Sequence, residues 1–94
     1  MRHLIKRKAK FCVYILQCRD GAYYTGFTSN LERRLKLHDS GQGAKYLRGK
    51  GPLKVVYVKA YTYYKNALHA ERNIKKLARK QKEEMVKSYA KSKD

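Results

Sequence analysis

The sequence predicts a small α+β domain: a three-stranded antiparallel sheet flanked by helices, in the order β-β-α-β-α-α. Three observations predict it. Residues 11–28 form two short runs of aromatic and β-branched residues around a turn sequence, the pattern of a hairpin. A third run of that kind and three stretches at helical spacing follow it. Three strands are too few for a parallel doubly wound sheet, so antiparallel pairing under a cover of helices is the architecture that remains.

The elements are read in order. Residues 1–10 carry Arg2, Lys6, Arg7, Lys8 and Lys10 with no acid, and read as a loosely ordered basic arm. The folded domain is expected over residues 11–89 and a polar tail over 90–94. Residues 11–17 make the first strand and 22–28 the second. Two loops fit between them: a two-residue turn at Asp20-Gly21, or a three-residue loop Arg19-Asp20-Gly21 with Gly21 in the left-handed region. In the three-residue version Cys18 opposes Ala22 and Leu16 opposes Tyr24, so Tyr14 and Tyr24 share a face. A slip of one residue separates them. Ser29-Asn30 offers an N-cap to a helix over 31–40, with Leu31, Leu35 and His38 at helical spacing, and Gly41 ends it. Residues 41–52 hold four of the six glycines, the sole proline, and Lys45, Arg48 and Lys50, and read as a basic surface loop. The third strand spans 53–61. A second helix runs from about Lys65 to Leu77 on an apolar stripe of Ala67, Ala70, Ile74, Leu77 and Ala78, and a last basic helix covers about Arg79 to Tyr89.

Composition narrows the function. In 94 residues, 24 Lys and Arg stand against 7 Asp and Glu, a formal charge of +17, and nine tyrosines supply bulk that Leu, Ile, Val and Phe alone would not. Cations at this density, interleaved with aromatics, are the footprint of a protein that meets phosphate backbones. Cys12 and Cys18 on one strand lie too far apart for a disulfide and match no zinc spacing. The apolar run after the basic start is too short for a secretory signal, and no stretch approaches a membrane span. The expected address is the cytoplasm, at the nucleoid.

Three groups of residues carry possible chemistry. From Gly41 to Lys82 the only acid is Glu71, set between Ala67 and Ile74 and so turned toward the apolar side of its helix. A carboxylate there either pairs with a Lys or Arg or holds a divalent metal against phosphate. Arg34 and His38, four apart on the first helix, form one row able to face the sheet, where a guanidinium clamps phosphoryl oxygens and an imidazole relays a proton; the plainer roles are an Arg34–Glu71 ion pair and a core histidine. Tyr14 and Tyr24 are by default ordinary strand tyrosines; Tyr14 would accept a proton usefully only if surrounding cations or a metal-bound water depressed its pKa, and the +17 charge works in that direction.

In order, the motifs are Cys12-Val13-Tyr14, then Tyr24-Thr25-Gly26, then Thr28 to Arg34, His38, and Glu71 to Lys75. Together they resemble the GIY-YIG nuclease family over about residues 11–87. Residues 41–46 and 74–77 resemble its small stand-alone bacterial members, relatives of the SLX-type structure-specific nucleases. Cys12-Val13 stands where the namesake motif has Gly-Ile, and Thr25 where it has Ile. The resemblance implies a three-stranded antiparallel sheet flanked by helices, with both motif tyrosines at one site, which favours the three-residue hairpin loop. It implies hydrolysis of DNA phosphodiester bonds, with branched or damaged DNA among the expected substrates. It further implies one Mg²⁺ or Mn²⁺ held by Glu71, with Tyr14 activating water, Arg34 stabilising charge, Tyr24 and His38 orienting water and substrate, and Gly26 as a structural motif residue. Many members carry a separate target-choosing module for which this length leaves no room, so the expected phosphate contacts fall to Lys45, Arg48, Lys50, Lys75 and Lys76. The competing reading is a non-catalytic basic module binding DNA or RNA through counterion release.

Overall fold

The computed structural model describes residues 10–92. The hairpin comes first: β1 (Phe11–Gln17) pairs antiparallel with β2 (Tyr23–Thr28), Tyr14 opposite Gly26 and Leu16 opposite Tyr24. The loop is the three-residue one. Cys18 N–H donates to the Ala22 carbonyl at 2.8 Å, Gly21 N–H closes back on the Cys18 carbonyl at 2.9 Å, and Gly21 has φ of 92°. That left-handed angle is cheap only for glycine. Asp20 steadies the turn by accepting from Ala22 N–H at 3.0 Å.

Helix α1 (Leu31–Asp39) starts where expected, with the Asn30 side chain accepting from Arg33 N–H at 3.0 Å. Gly41, at φ 81°, turns the chain back, and the N–H groups of Gln42 and Gly43 both reach the Leu37 carbonyl. The loop that follows therefore lies against the last turn of α1. It contains one 3₁₀ turn, Lys45–Leu47, which was not anticipated; Leu47 anchors it in the core. Strand β3 (Lys54–Tyr61) pairs antiparallel with the other side of β1, giving the sheet order β2-β1-β3. A bulge interrupts the β1–β3 register at Ile15/Leu16. Helices α2 (Tyr64–Lys76) and α3 (Arg79–Ser92) complete the chain. The break between them falls at Leu77, which is extended, and Gln81 caps the new helix by accepting from Ala78 N–H at 3.0 Å.

The α+β fold with a three-stranded antiparallel sheet is thus as the sequence predicts. Helix α3 runs to Ser92, past the expected end at Tyr89, so residues 90–92 are helical rather than tail. Residues 1–9 of the expected arm, and 93–94, lie outside the described residues. Among the described residues no helix is long and apolar enough to cross a membrane.

Strand alternation gives β1 two jobs. Val13 and Ile15 join Val56, Ala67 and Ile74 in a core under α2 and α3, while Tyr14, Leu16 and Cys18 join Leu47 in a second core with Leu31 and Leu35 of α1. Arg79 at the start of α3 ties that helix to the β1–β2 hairpin. It donates to the Gly21 carbonyl at 2.8 Å, pairs with Glu83 at 3.1 Å, and lies over the Tyr23 ring at 4.6 Å.

Candidate active site

Tyr14 is fully buried, and its phenol leans across β2 into space that exists only because Gly26 is opposite. A Cβ at Gly26 would lie 2.6 Å from Tyr14 Oη and 3.2 Å from a ring carbon of Tyr24. The Tyr14 and Tyr24 rings are 6.5 Å apart on one face of the sheet. His38, 3% exposed in the last turn of α1, sits between them and the loop: its Nε2 is 2.9 Å from Tyr14 Oη, and its ring meets Tyr24 edge-on at 5.6 Å.

The tautomer of His38 follows from its other nitrogen. Ala44 N–H donates to Nδ1 at 3.1 Å, so Nδ1 is an acceptor and the neutral ring carries its proton on Nε2. Nε2–H then donates to Tyr14 Oη. Gly43 makes this possible, because a side chain there would collide with His38 Nδ1. Burial holds the His38 pKa below its ordinary value, the Arg34 charge adds to that, and Asp39 opposes it. The ring is neutral near pH 7.

Tyr14 corrects one expectation. Its pKa is pushed up, to about 12, rather than depressed. Burial is the main cause and the Tyr24 phenol adds to it; Arg34, through its charge and a hydrogen bond, pulls downward without winning. A net charge of +17 spread over a wet surface does not outweigh local desolvation of one phenol. Burial likewise raises the thiols of Cys12 and Cys18, which are both free.

Along the outer edge of β2 runs a cleft of about 370 Å³ where the two faces of the sheet meet. Tyr24, Gly26 and Arg34 line it from the α1 side; Phe11, Phe27, Tyr64 and Glu71 line it from the α2 side. Tyr64 packs edge-on against both Phe11 and Phe27, at 5.7 and 5.6 Å, and Glu71 lies two turns further along the same helix face. The Glu71 side chain is 13% exposed and pairs with Lys75 Nζ at 3.2 Å. This is the lysine form of the plainer reading of this acid; an Arg34–Glu71 pair is not formed. Among the described residues Arg34 is in no ion pair, so its charge faces the cleft uncompensated. A larger groove of about 740 Å³ between β3 and α3 contains none of these groups.

Tyr14, Tyr24, Gly26, Arg34, His38 and Glu71 are thus brought to one region, with Tyr14 and His38 beneath and the others on the cleft. The candidate phosphate-binding cations are divided. Lys45, Arg48 and Lys50 lie on the loop over α1, where Arg48 Nε donates to the Gly41 carbonyl at 2.9 Å and Lys50 lies 4.0 Å from Asp20. Lys75 and Lys76 are exposed at the end of α2, and Lys75 is engaged with Glu71.

Sequence reasoning missed Tyr64, Gly43, the Ala44 N–H and the packing of Tyr46 on Tyr24. Tyr64 had a signal, seven residues before Glu71. The loop contacts had none, since a loop's path leaves no period.

One comparison matches residues 10–84 to the GIY-YIG catalytic domain. Curated relatives include the UPF0213 protein OB0043 of Oceanobacillus iheyensis, 50% identical over 79% of this chain and 86% of its own. The UPF0213 protein CPE1444 of Clostridium perfringens is also 50% identical, over 81% of this chain and 82% of its own. Two solution structures share the fold at TM-scores of 0.56 and 0.59. They are the UPF0213 protein BH0048 from Bacillus halodurans (45% identity, 82% of each chain) and EF2693 from E. faecalis (41% identity, 84% of each chain). The tyrosines of a hairpin, an arginine of one helix and the lone acid of another therefore sit in a recognised domain, and the chain belongs to the GIY-YIG family.

Proposed function

We propose that this protein is a metal-dependent endonuclease that hydrolyses DNA phosphodiester bonds. The observation that carries the reading is the cleft along β2, lined together by Glu71, Gly26 and an Arg34 that is in no ion pair among the described residues, with the Tyr14–His38 pair beneath it. Arg34 binds the scissile phosphate and takes up the charge that grows on its oxygens as water attacks and the P–O bond to the departing strand breaks, the leaving oxygen taking a proton from solvent. Tyr14 accepts the proton of that water in its phenolate form, and the Nε2–H of His38 steadies the oxygen that receives it. Tyr24 orients water and substrate from the cleft wall.

The residues present fit a divalent ion of the Mg²⁺ kind. Glu71 is a single carboxylate on a cleft wall, and among the described residues no three His, Cys, Asp or Glu side chains converge to cage a metal. One carboxylate, several waters and substrate phosphate is an ordinary magnesium arrangement. When bound by Glu71, Mg²⁺ or Mn²⁺ would supply positive charge at the phosphate undergoing displacement.

The second reading, a non-catalytic nucleic-acid-binding module, draws on the Glu71–Lys75 ion pair, which gives that acid a purely structural role. Binding does not separate the two readings, but cleavage does. With Mg²⁺ or Mn²⁺, purified protein is expected to cut at least one member of a panel of duplex, single strand, flap and four-way junction. Glu71→Ala and Arg34→Ala are expected to abolish turnover while retaining most binding. Equal rates from mutant and wild type would assign the cutting to a contaminant and leave the binding module standing.

A further inference from the structure

Tyr46 is the exposed end of a ladder of rings. It stands in the middle of the 3₁₀ turn, and the next residue, Leu47, is 2% exposed in the core, so the turn is anchored and Tyr46 is held outward at 48% exposure. Its ring stacks on that of Tyr24, with centroids 6.1 Å apart and planes 19° from parallel. Tyr24 lines the cleft and lies edge-on to His38, which bonds to Tyr14. Lys50 Nζ lies 4.6 Å from the Tyr46 ring centre, Lys45 and Arg48 flank it in the chain, and residues 41–54 contain no acid.

A single exposed tyrosine needs no explanation. A tyrosine on an anchored turn, stacked on a cleft residue and with a lysine ammonium over its ring, does. It combines the two halves of a nucleotide site: a π face for a base and positive charge for the attached phosphate.

We propose that Tyr46, with Lys50, forms a stacking subsite for an unpaired nucleobase beside the phosphate held in the cleft. The proposal rests on the nuclease reading for the position of that phosphate, and it adds the substrate class: a strand that is unpaired next to the cut. Within a duplex each base is covered on both faces by its neighbours, so a base that reaches Tyr46 comes from a single strand, a flap or junction arm, or a nucleotide turned out of its helix. Lys50, on its flexible four-carbon stem, gives up its place on the ring and follows the phosphate.

The test uses binding in the presence of a chelator, so that nothing is cut. Fluorescence anisotropy gives Kd for a short single-stranded oligodeoxynucleotide, the same sequence as a duplex, and a strand of abasic deoxyribose phosphates. Tyr46→Ala is expected to weaken single-strand binding by roughly 5- to 100-fold, the range seen when a base-stacking aromatic is removed. Duplex and abasic-strand binding should change less than about twofold, because phosphate contacts remain. Tyr46→Phe should bind like wild type. A 2-aminopurine in the single strand should be quenched by wild type and Tyr46→Phe but not by Tyr46→Ala.

Unchanged single-strand binding by Tyr46→Ala, equal weakening of all three ligands, or no measurable single-strand binding by wild type would each overturn the proposal. The nuclease reading fails separately, if wild type with Mg²⁺ or Mn²⁺ cuts no member of the substrate panel. Cleavage by wild type, together with no selective effect of Tyr46→Ala on binding, would remove the stacking subsite alone.

Discussion

Gly26→Ala adds one methyl group at the point where Tyr14 crosses β2. The new Cβ would be 2.6 Å from Tyr14 Oη and 2.8 Å from Cζ, so the phenol has to retreat by about 0.8 Å to reach an ordinary 3.4 Å contact. It has nowhere to go. Tyr14 is 0% exposed, and a retreat of that size either compresses or breaks its 2.9 Å hydrogen bond to His38. Overpacking of this kind costs about 1–3 kcal/mol of stability, and displacing a catalytic group by nearly an ångström costs about 100-fold in turnover. Urea unfolding measures the first, and single-turnover cleavage of a labelled oligonucleotide the second. Gly51→Ala is the control, since a Cβ there meets nothing closer than 3.8 Å; its stability should stay within about 0.5 kcal/mol of wild type. In a Tyr14→Phe background the nearest clashing atom is gone, so Gly26→Ala should cost less by an amount on the order of 0.5–1 kcal/mol. Wild-type stability in Gly26→Ala would refute the packing argument. Lost stability with wild-type turnover would refute the need for Tyr14 at that place.

Further expectations are equally direct. Thr25 Oγ1 is buried with no hydrogen-bond partner among the described residues, so Thr25→Val should raise stability by about 1–2 kcal/mol in urea titrations, and a loss would mean that the hydroxyl has a partner. His38 titrates below its ordinary value in the fold, so the unfolded chain binds a proton first as pH drops. Stability contributed by neutral His38 is therefore present above about pH 6.5 and lost as pH falls below it toward the folded value, and His38→Gln should flatten that part of the urea-midpoint profile between pH 5 and 7.5. With the Tyr14 phenol raised to about 12, its phenolate is scarce near neutrality; kcat/KM should climb about tenfold per pH unit from pH 6.5 to 8.5, and a flat profile would remove Tyr14 as base. Arg79→Ala removes the tie to Gly21 and Tyr23 and should cost about 1 kcal/mol without changing turnover.

What could be read in the chain beforehand was whatever carries a period. The placing of Tyr14 and Tyr24 on one face needs only strand alternation and a loop of known length, and Gly21 at φ 92° is the residue that makes the three-residue loop. Glu71 could be turned toward its apolar stripe because Ala67 and Ile74 bracket it at helical spacing. Its partner was readable too: Lys75 is one turn further on, an i,i+4 pair more local than any contact with Arg34. The Ala44 N–H on His38 and the Tyr46 stack depend on the route of residues 41–52, which is set by Gly41 reversing the chain and Leu47 anchoring it. No repeat announces such a route. The phenol's pKa was misjudged because charge count is a global quantity and desolvation a local one.

The placing of the cleft also explains why so small a sheet can host it. Arg34 comes from a helix on one face and Glu71 from a helix on the other, and a three-stranded sheet separates them everywhere except at its margin. β2 is a margin, with β1 on only one side. A side chain at position 26 would wall off that margin from the Tyr14 phenol; glycine leaves it open, so groups from both faces and from beneath can bear on one phosphate. An edge strand ordinarily risks pairing with a foreign strand. Here Arg34 beside β2, in no ion pair among the described residues, places a positive charge at that margin, a feature that discourages strand addition and suits a phosphate backbone for the same electrostatic reason.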